Sequence, residues 1–376
     1  MVSPKSFIDT LVGHDLDFFA GVPDSLLKNM CAYITDNIDS HHNIIAANEG
    51  GAMGLAAGHY LATGRPGVVY MQNSGEGNII NPLASLMDAD VYDIPVLMLI
   101  GWRGKPGVHD EPQHVKQGKV TLSLLDTMGV PYQVLSHEEP EALSQLDNAI
   151  HAVRNGQRYA LVVEKDTFAP YSLQQSDRPN TLTMSREEAI ILVAGAIEND
   201  AVIVSTTGMI SRELFEYRVR QEERHDRDFL TVGSMGHASQ IALGIALEQP
   251  HRRIYCFDGD GASIMHMGNM AIVGQSKAEN YIHIVFNNGA HDSVGGQPTV
   301  GFDINLPAAA RAVGYNWVIS CNTANQLSAA LEEIADKKGP ILIEVPVRKG
   351  NRKDLGRPTT TPIQNKIELM NFLQNK

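Results

Sequence analysis

One acidic side chain stands between two glycines at the end of an apolar run. The segment FDGDG places Asp260 between Gly259 and Gly261, and the pair Asn287 and Asn288 ends the next apolar run along the chain. A buried carboxylate is costly unless a cation compensates its charge. Carboxylate, amide and main-chain oxygens are the ligands that Mg²⁺ prefers. The pattern therefore indicates a divalent cation held by Asp260, by one of the two asparagine side chains and by a nearby main-chain carbonyl.

The glycines around this acid also indicate an anion. Glycine turns at the ends of parallel strands bind anions, because backbone N–H groups and helix amino termini meet there. The chain has no complete G-x-G-x-x-G dinucleotide fingerprint: SGEGNI lacks the third glycine, and FDGDG has an acid inside the turn. An aspartate beside a diphosphate is favourable only with a divalent cation between them. We therefore expect a metal-bound diphosphate at a helix that starts near Ala262.

Composition and charge limit the partners of the chain. It has 376 residues, of which 43% are hydrophobic and 19% charged, as expected for a globular protein with room for two domains. Its net charge of −13 disfavours nucleic acid and anionic membrane surfaces as partners. The three cysteines form no CxxC pair, which favours free thiols in a reducing cytosol. The start of the chain does not resemble a signal peptide and the apolar runs are strand-length, so we expect a cytoplasmic protein without membrane contact.

Short apolar runs alternate with helix-length segments throughout the chain. This pattern predicts an α/β protein with two doubly wound, mostly parallel sheets covered by helices on both faces. A polar, proline-bearing break predicts a linker at 171–184 between domains 1–170 and 185–376, with Ser185 and Glu188 as a capping box for the next helix. The predicted strands cover residues 43–47, 67–72, 95–101, 132–135, 160–165, 201–206, 229–233, 253–259, 281–287 and 341–347.

The segment from Gly259 to Asn288 resembles the diphosphate-binding signature of thiamine diphosphate-dependent 2-oxo acid decarboxylases. The resemblance implies the thiamine diphosphate-binding fold, with the pyrimidine-binding domain before the diphosphate-binding domain and no central domain. It implies that Mg²⁺ is bound by Asp260, Asn288 and the main-chain oxygen of Ala290. It also implies an apolar wedge under the bent cofactor, Met235. Further implied cofactor contacts are Gly208, Met209, Gly233, Gly236, His237, Gly259, Gly261 and Ala262.

A second carboxylate, Glu49, stands before a run of glycine and alanine in NEGGAMGLAAGHYLATG. Spacing alone also fits an ordinary acid at a helix amino terminus, worth only about 0.3–1 kcal/mol. The stretch is similar to the glutamate motif of the same family, which implies that Glu49 hydrogen-bonds the cofactor's aminopyrimidine ring and activates it. In the family this glutamate and the metal site belong to different subunits. The resemblance therefore implies a homo-oligomer, a dimer or higher, with active sites at subunit interfaces.

Four further stretches concern the substrate. AGVPDSLLKN, QNSGEGNIINPLASL, GWRGKPGVHDEPQHVKQG and NNGAHDSVGGQPT closely resemble phosphonopyruvate decarboxylases, and sulfopyruvate decarboxylases less closely. The resemblance implies decarboxylation of 3-phosphonopyruvate, a small anionic 2-oxo acid, to phosphonoacetaldehyde and CO₂ in phosphonate biosynthesis. The alternatives are a sulfopyruvate decarboxylase, a related carboligase and a catalytically silent cofactor-binding protein. Candidate substrate contacts are Ser25, Arg103, Lys105, His291 and Gln297.

Two questions about the substrate site stay open at this point. An arginine fits phosphonate oxygens in a bidentate manner, but acids beside Arg103 partly cancel its charge, so the loop also fits a solvated surface segment. The proton that completes the aldehyde needs a donor, and the tandem His-His of some relatives is missing from the corresponding loop. Asp24 roughly matches an aspartate after Gly-x-Pro in related decarboxylases, with a shorter spacing here. The candidate proton donors are Asp24, His109, His114 and His291.

Overall fold

The chain folds into two compact units in a computed structural model, which describes residues 1–174 and 182–374. The predicted linker, 171–184, lies partly outside the described residues, so the predicted domain bounds stay a prediction. None of the described helices combines the length and the apolarity needed to cross a membrane. The first unit comprises Met1–Asp177 and Val294–Gln297, and the second comprises Arg178–Ser293 and Pro298–Lys376.

The first unit contains one sheet of six strands. These are β1 (Phe19–Gly21), β2 (Asn43–Ile45), β3 (Gly67–Gln72), β4 (Val96–Gly101), β5 (Tyr132–Val134) and β6 (Arg158–Val163). Its helices are α1 (Pro4–Gly13), α2 (Lys28–Asn37), α3 (Glu49–Thr63), α4 (Glu76–Pro82), α5 (Pro112–Thr127) and α6 (Glu139–Arg154). A 3-10 turn, Asn73–Gly75, precedes α4, and a π-helical turn, Leu83–Met87, follows it.

The sheet of the first unit is parallel and buried on both faces. Its strand order is β2-β1-β3-β4-β6-β5. Side chains alternate between the two faces of a strand, and along β4 the residues Leu97 and Leu99 enter one apolar cluster while Met98 and Ile100 enter another. The continuous apolar run of β4 is therefore explained by helices on both faces of the sheet.

The second unit repeats this plan. Its strands are β7 (Val202–Ser205), β8 (Asp228–Leu230), β9 (Ile254–Gly259), β10 (Tyr281–Asn287), β11 (Trp317–Ser320) and β12 (Ile341–Pro346). Its helices are α7 (Arg186–Ala196), α8 (Met209–Arg220), α9 (Ala238–Glu248), α10 (Asp260–Met265), α11 (Gly268–Ser276), α12 (Leu306–Val313), α13 (Ala324–Ile334) and α14 (Pro362–Gln374). A 3-10 turn covers Asp292–Val294. The parallel strands lie in the order β11-β12-β10-β9-β7-β8.

The predicted fold class is confirmed, and ten of the twelve strands in the described residues overlap a predicted one. The two that the sequence did not reveal are the short strands β1 and β11, of three and four residues. The predicted capping box is present: the Ser185 hydroxyl accepts from the Glu188 N–H (3.2 Å), and the Glu188 carboxylate accepts from the Ser185 N–H (2.7 Å).

Each sheet has a point at which the connections from two neighbouring strands lead away in opposite directions. In the first unit this point lies between β1 and β3, and in the second between β7 and β9. Ligands of open α/β sheets bind outside the carboxyl ends of the strands at such a point. The predicted candidates Asp24, Arg103 and Asp260 follow the carboxyl ends of β1, β4 and β9.

Candidate active site

In the second unit, the turn after β9 holds a buried carboxylate. Helix α10 begins at Asp260, which is 2% exposed. One carboxylate oxygen accepts from the Thr299 hydroxyl, and the other accepts from the Asn288 N–H at 3.3 Å. Burial raises the pKa of Asp260 to about 6. Among the described residues no lysine, arginine or histidine forms an ion pair with it, so a cation from outside the chain is needed to balance its ionised form.

The two asparagines at the end of β10 have different contacts. Asn287 donates from Nδ2 to the Gly301 carbonyl (2.7 Å) and to the Glu344 carboxylate (2.9 Å), which ties the following loop to β12. Asn288 donates from Nδ2 to the Asp292 carboxylate (2.7 Å). This contact fixes the Asn288 amide so that its Oδ1 is the atom available as an acceptor or ligand.

These oxygens fit Mg²⁺. The Asp260 carboxylate, the Asn288 Oδ1 and the adjoining main chain at Ala290 are hard oxygen donors, and the Ala290 N–H lies 3.1 Å from Asn288 Oδ1. Gly301 approaches so closely that a Cβ there would lie 2.6 Å from Asp260 Oδ2. Only glycine allows the loop this close to the carboxylate, which shields the site from water.

A second group of possible metal ligands lies under the same turn. Within the described ranges, Cys256, Asp258 and His283 are one such group, with ligand atoms within 4.8 Å of one another. Both His283 ring nitrogens already have partners, Asp258 Oδ2 at 3.3 Å and the Tyr315 hydroxyl at 3.2 Å. Burial raises the pKa of the Cys256 thiol well above its ordinary value. We conclude that this group is a satisfied polar network.

Two glycine turns lie at the carboxyl ends of β7 and β8. Gly208 (φ 99°) precedes α8, whose first residue is Met209. The Gly233 N–H (φ 74°) donates to the Thr207 hydroxyl at 3.1 Å, which joins the two turns. Gly236 also has a positive φ, 83°. These left-handed conformations favour glycine and explain the glycines at three of the predicted cofactor contacts.

Met235 and His291 both lie next to Gly261 in the acid turn. A Cβ built on Gly261 would lie 3.5 Å from the Met235 methyl and 3.1 Å from the His291 ring. Burial lowers the pKa of His291 to about 4, so its ring is neutral at pH 7. His237 is exposed and its ring is tilted against that of His266, with 4.7 Å between ring centroids and 60° between their planes. The second unit thus places the predicted wedge and His291 at the predicted diphosphate turn.

In the first unit, Glu49 begins α3 and is 4% exposed. Its Oε2 accepts from Asn78 Nδ2 at 2.6 Å. Gly75 lies against the same carboxylate, because a Cβ there would be 2.4 Å from Glu49 Cδ. The QNSGEGN turn after β3 therefore packs directly on Glu49 and orients its carboxylate.

Asp24 is fully buried at the same edge of the sheet. It accepts hydrogen bonds from Gln72 Nε2 at 2.6 Å and from the Leu26 N–H at 2.9 Å. Burial raises its pKa, which favours the protonated acid, and these hydrogen bonds offset the effect in part. Gly101 makes room for the carboxyl group, since a Cβ there would lie 2.1 Å from Asp24 Oδ2.

Arg103 joins this cluster from the loop after β4. Its Nη1 donates to the Ser25 hydroxyl at 2.7 Å, and its Nε and Nη2 donate to the Asp110 carboxylate at 2.8 and 2.5 Å. Asn73 holds the Arg103 backbone by accepting from its N–H (3.2 Å) and donating to its carbonyl (2.8 Å). His114 Nδ1 lies 2.9 Å from Asp110 Oδ1. The structure thus brings Asp24, Ser25, Arg103 and His114 together.

Other candidates lie outside this cluster. Lys105 pairs with Glu164, so the loop carries fewer free cations than its sequence suggests. His109 is exposed and makes no hydrogen bond to any residue within 1–174 and 182–374. Gln297 belongs to the first unit, is fully buried, and has its Nε2 3.5 Å from the Lys28 carbonyl. Its Oε1 has no partner among the described residues.

The residues that contact candidate side chains but were not predicted include Gln72, Asn78 and Asp110. Gln72 is the last residue of β3 and Asn78 lies in α4 shortly after it, a position at the ligand-binding edge of a parallel sheet that could have identified them. From the sequence, Asp110 is only one of the acids near Arg103 that partly cancel its positive charge. No local signal distinguishes an acid that neutralises an arginine from one that orients it.

The chain matches both domains of one protein family. Residues 3–126 match "Thiamine pyrophosphate enzyme, N-terminal TPP binding domain", and residues 206–345 match "Thiamine pyrophosphate enzyme, C-terminal TPP binding domain". The chain is 33% identical to a phosphonopyruvate decarboxylase of Streptomyces viridochromogenes, over 97% of this chain and 93% of the relative. Identity to a phosphonopyruvate decarboxylase of Streptomyces hygroscopicus is also 33%, over 96% and 92%. A sulfopyruvate decarboxylase of Methanosarcina acetivorans is 28% identical over 93% of each chain.

The predicted family is confirmed by these matches, which cover nearly the whole chain and nearly the whole of each relative. The chain belongs to the thiamine pyrophosphate enzyme family and carries the two TPP-binding domains of that family in one polypeptide.

Proposed function

We propose that the protein is a thiamine diphosphate- and Mg²⁺-dependent decarboxylase that converts 3-phosphonopyruvate to phosphonoacetaldehyde and CO₂ in phosphonate biosynthesis. The observation that carries the proposal is the 33% identity with phosphonopyruvate decarboxylase over 97% of this chain. Sulfopyruvate decarboxylation is the second candidate, supported by the lower identity of 28% over 93% of the chain.

In this proposal the second unit holds the cofactor's diphosphate. Asp260, Asn288 and the Ala290 carbonyl would bind Mg²⁺, and the backbone around Gly261 would receive the phosphate oxygens. Asp292 keeps the Asn288 oxygen in the orientation that metal binding requires, because it accepts from the amide nitrogen (2.7 Å). When bound, thiamine diphosphate supplies the electron sink for the loss of CO₂.

Glu49 would hydrogen-bond the pyrimidine ring of the cofactor. Its burial supports this role, since a hydrogen bond is stronger where water does not compete. Asn78 donates to Oε2 of Glu49 at 2.6 Å. This hydrogen bond would leave Oε1 as the oxygen that meets the ligand.

The substrate's phosphonate would bind at Arg103 and Ser25. A guanidinium has five N–H donors, and three of those of Arg103 are used within the protein, so two remain for an oxyanion. Asp24 and His114 are the proposed proton-transfer groups for the product-forming step, since both lie within the same hydrogen-bonded cluster. His109 is a weaker candidate because of its exposed position.

We also infer a homo-oligomer with active sites formed between subunits. The outward face of α3, the helix that starts with Glu49, exposes Leu55 (38%) and Leu61 (74%) among glycines. A second copy that covers this face would remove both side chains from water. Sedimentation equilibrium tests the inference, and a monomer under assay conditions would contradict it. The proposal includes a cytoplasmic location, in keeping with the three buried, unpaired cysteines.

One assay tests the proposed function. CO₂ release from phosphonopyruvate is measured with and without added thiamine diphosphate and Mg²⁺, and kcat/KM is compared with that for sulfopyruvate. Release that requires both additions and favours phosphonopyruvate is the expected result. A preference for sulfopyruvate would support the second candidate, a 2-hydroxy ketone product would identify a carboligase, and no release from either acid would refute the proposal.

A further inference from the structure

The Asp110 carboxylate is a hydrogen-bonding centre of the loop after β4. Its Oδ1 accepts from Arg103 Nη2 (2.5 Å), from the Glu111 N–H (2.7 Å) and from His114 Nδ1 (2.9 Å). Its Oδ2 accepts from Arg103 Nε and from the Gly104 N–H, both at 2.8 Å. One side chain thus organises two groups that face the proposed substrate site.

The first consequence concerns Arg103. Nε and Nη2 form a side-on fork with Asp110, the geometry that fixes the plane of a guanidinium. The Arg103 and Asp110 side chains are only 19% and 13% exposed, so water competes weakly for this pair. Nη1 is directed to the Ser25 hydroxyl. The guanidinium therefore presents its remaining N–H groups in one orientation before any substrate arrives.

The second consequence concerns His114, whose side chain is 8% exposed. Burial raises the pKa of Asp110, but hydrogen bonds from Arg103 and His114 outweigh it and hold this pKa well below its usual range. An ionised carboxylate only accepts hydrogen bonds, so Nδ1 of His114 carries a hydrogen. Burial lowers the pKa of His114, so the ring is neutral at pH 7. Nε2 then carries a lone pair, and it makes no hydrogen bond to any residue that the structure describes.

We propose that Asp110 is a positioning residue for substrate binding and proton transfer. It holds the Arg103 guanidinium for the acid group of the substrate, and it holds His114 as the Nδ1–H tautomer with Nε2 as the basic atom. The inference rests on the proposed function, because Arg103 and His114 meet a substrate only if the acid binds at this edge of the sheet.

A kinetic experiment tests the link to Arg103. Asp110→Asn removes the charge of the acceptor and keeps its size, and should lower kcat/KM for phosphonopyruvate roughly 10- to 150-fold, the effect of one charge-assisted hydrogen bond. Pyruvate has no phosphonate, so its loss should be several-fold smaller. In Arg103→Ala, the further substitution Asp110→Asn should have much less effect than in the wild type. Equal losses for the two acids, or additive effects, would overturn this role.

The matched control is Asp147→Asn. Asp147 is exposed on α6 and has no ion pair among the described residues, so both kcat/KM values should stay within about twofold of the wild type. Circular dichroism and thermal unfolding of each variant establish that it is folded.

A spectroscopic experiment on the unmodified chain tests the tautomer and needs neither cofactor nor activity. Histidine-selective ¹⁵N labelling distinguishes a protonated ring nitrogen from an unprotonated one, and His114→Gln identifies the His114 signals by their absence. At pH 7 we expect a protonated Nδ1 and an unprotonated Nε2. A protonated Nε2 would overturn the tautomer assignment whether or not Asp110 variants fold.

The two experiments separate this inference from the proposed function. If the wild type releases no CO₂ from phosphonopyruvate, the proposed function fails, while the tautomer measurement still decides the role of Asp110 toward His114. If the wild type is active and Asp110→Asn keeps its full kcat/KM, the positioning role fails and the proposed function stands.

Discussion

The turns after β3 and β9 occupy the same place in two sheets of the same strand order, since the order of the second sheet, read from its other end, repeats that of the first. Each turn places an acid between two glycines as the first residue of a helix, Glu76 in α4 and Asp260 in α10. Both residues are 2% exposed. The two acids differ in what surrounds them.

Asp260 has a hydroxyl and an N–H as partners, whereas neither oxygen of Glu76 has a hydrogen-bond partner among the described residues. Burial raises the pKa of Glu76 to about 8 and that of Asp260 to about 6. The strand that follows Asp260 ends in Asn288, which offers an amide oxygen. An acid between glycines is therefore not a metal site by itself: the next strand must add oxygen ligands.

The largest expected effect is on kcat, and it separates the proposed catalytic role of the first unit from the proposed metal binding of the second. Glu49→Gln should reduce kcat about 10²- to 10⁴-fold, the usual contribution of proton transfer, because glutamine cannot hold the proton that a carboxylate shares. The variant should still be stabilised by thiamine diphosphate with Mg²⁺, measured by thermal unfolding. Full turnover in Glu49→Gln would remove Glu49 from the mechanism.

The second effect tests the protonated state of Glu76. Its folded-state pKa, about 8, lies above the ordinary value of 4.5. The contribution of protonated Glu76 to the free energy of unfolding is thus complete below about pH 4.5 and is lost as the pH rises to about 8, on the order of 5 kcal/mol in total. Glu76→Gln should remove this pH dependence from the free energy of unfolding in urea. The exposed Glu248→Gln is the control, and an unchanged slope in Glu76→Gln would show that Glu76 ionises freely.

The third effect tests Asp260 as the metal ligand. In the wild type, cofactor and Mg²⁺ at about 100 times the dissociation constant should stabilise the fold by about 2.7 kcal/mol. Asp260→Asn should lose most of this gain, because a neutral amide does not balance the cation. Asp147→Asn should keep it. An undiminished gain in Asp260→Asn would mean that the diphosphate turn lies elsewhere.

The smallest effect tests the substrate contact. Arg103→Ala should lower kcat/KM for phosphonopyruvate roughly 10- to 150-fold, through loss of a charge-assisted hydrogen bond of about 1.5–3 kcal/mol. The loss for pyruvate should be smaller, as no phosphonate is present. Steady-state kinetics with both acids provide the measurement, and equal losses would show that Arg103 only supports the loop.

Much of the fold and part of the site could be predicted from local sequence. The apolar runs of β3 and β10 were predicted with their observed bounds, because buried parallel strands are continuous in hydrophobicity. The glycines at 259 and 261 and the asparagine pair at the end of β10 predicted the position of the proposed metal site. The ion pair of Lys105 with Glu164 could not be predicted, because the partners are far apart in sequence.

The sequence by itself determined the fold class, the family and the types of side chain at the proposed metal turn, because these are written in short motifs and in local periodicity. Only the tertiary structure decided the state of each acid. Asp110, Asp260 and Glu76 are all acids that follow strands, yet among the described residues one accepts five hydrogen bonds, one accepts two from other residues and one accepts none. The physical reason is that desolvation and pairing act through space, so the charge of a carboxylate depends on neighbours that the chain brings from distant positions.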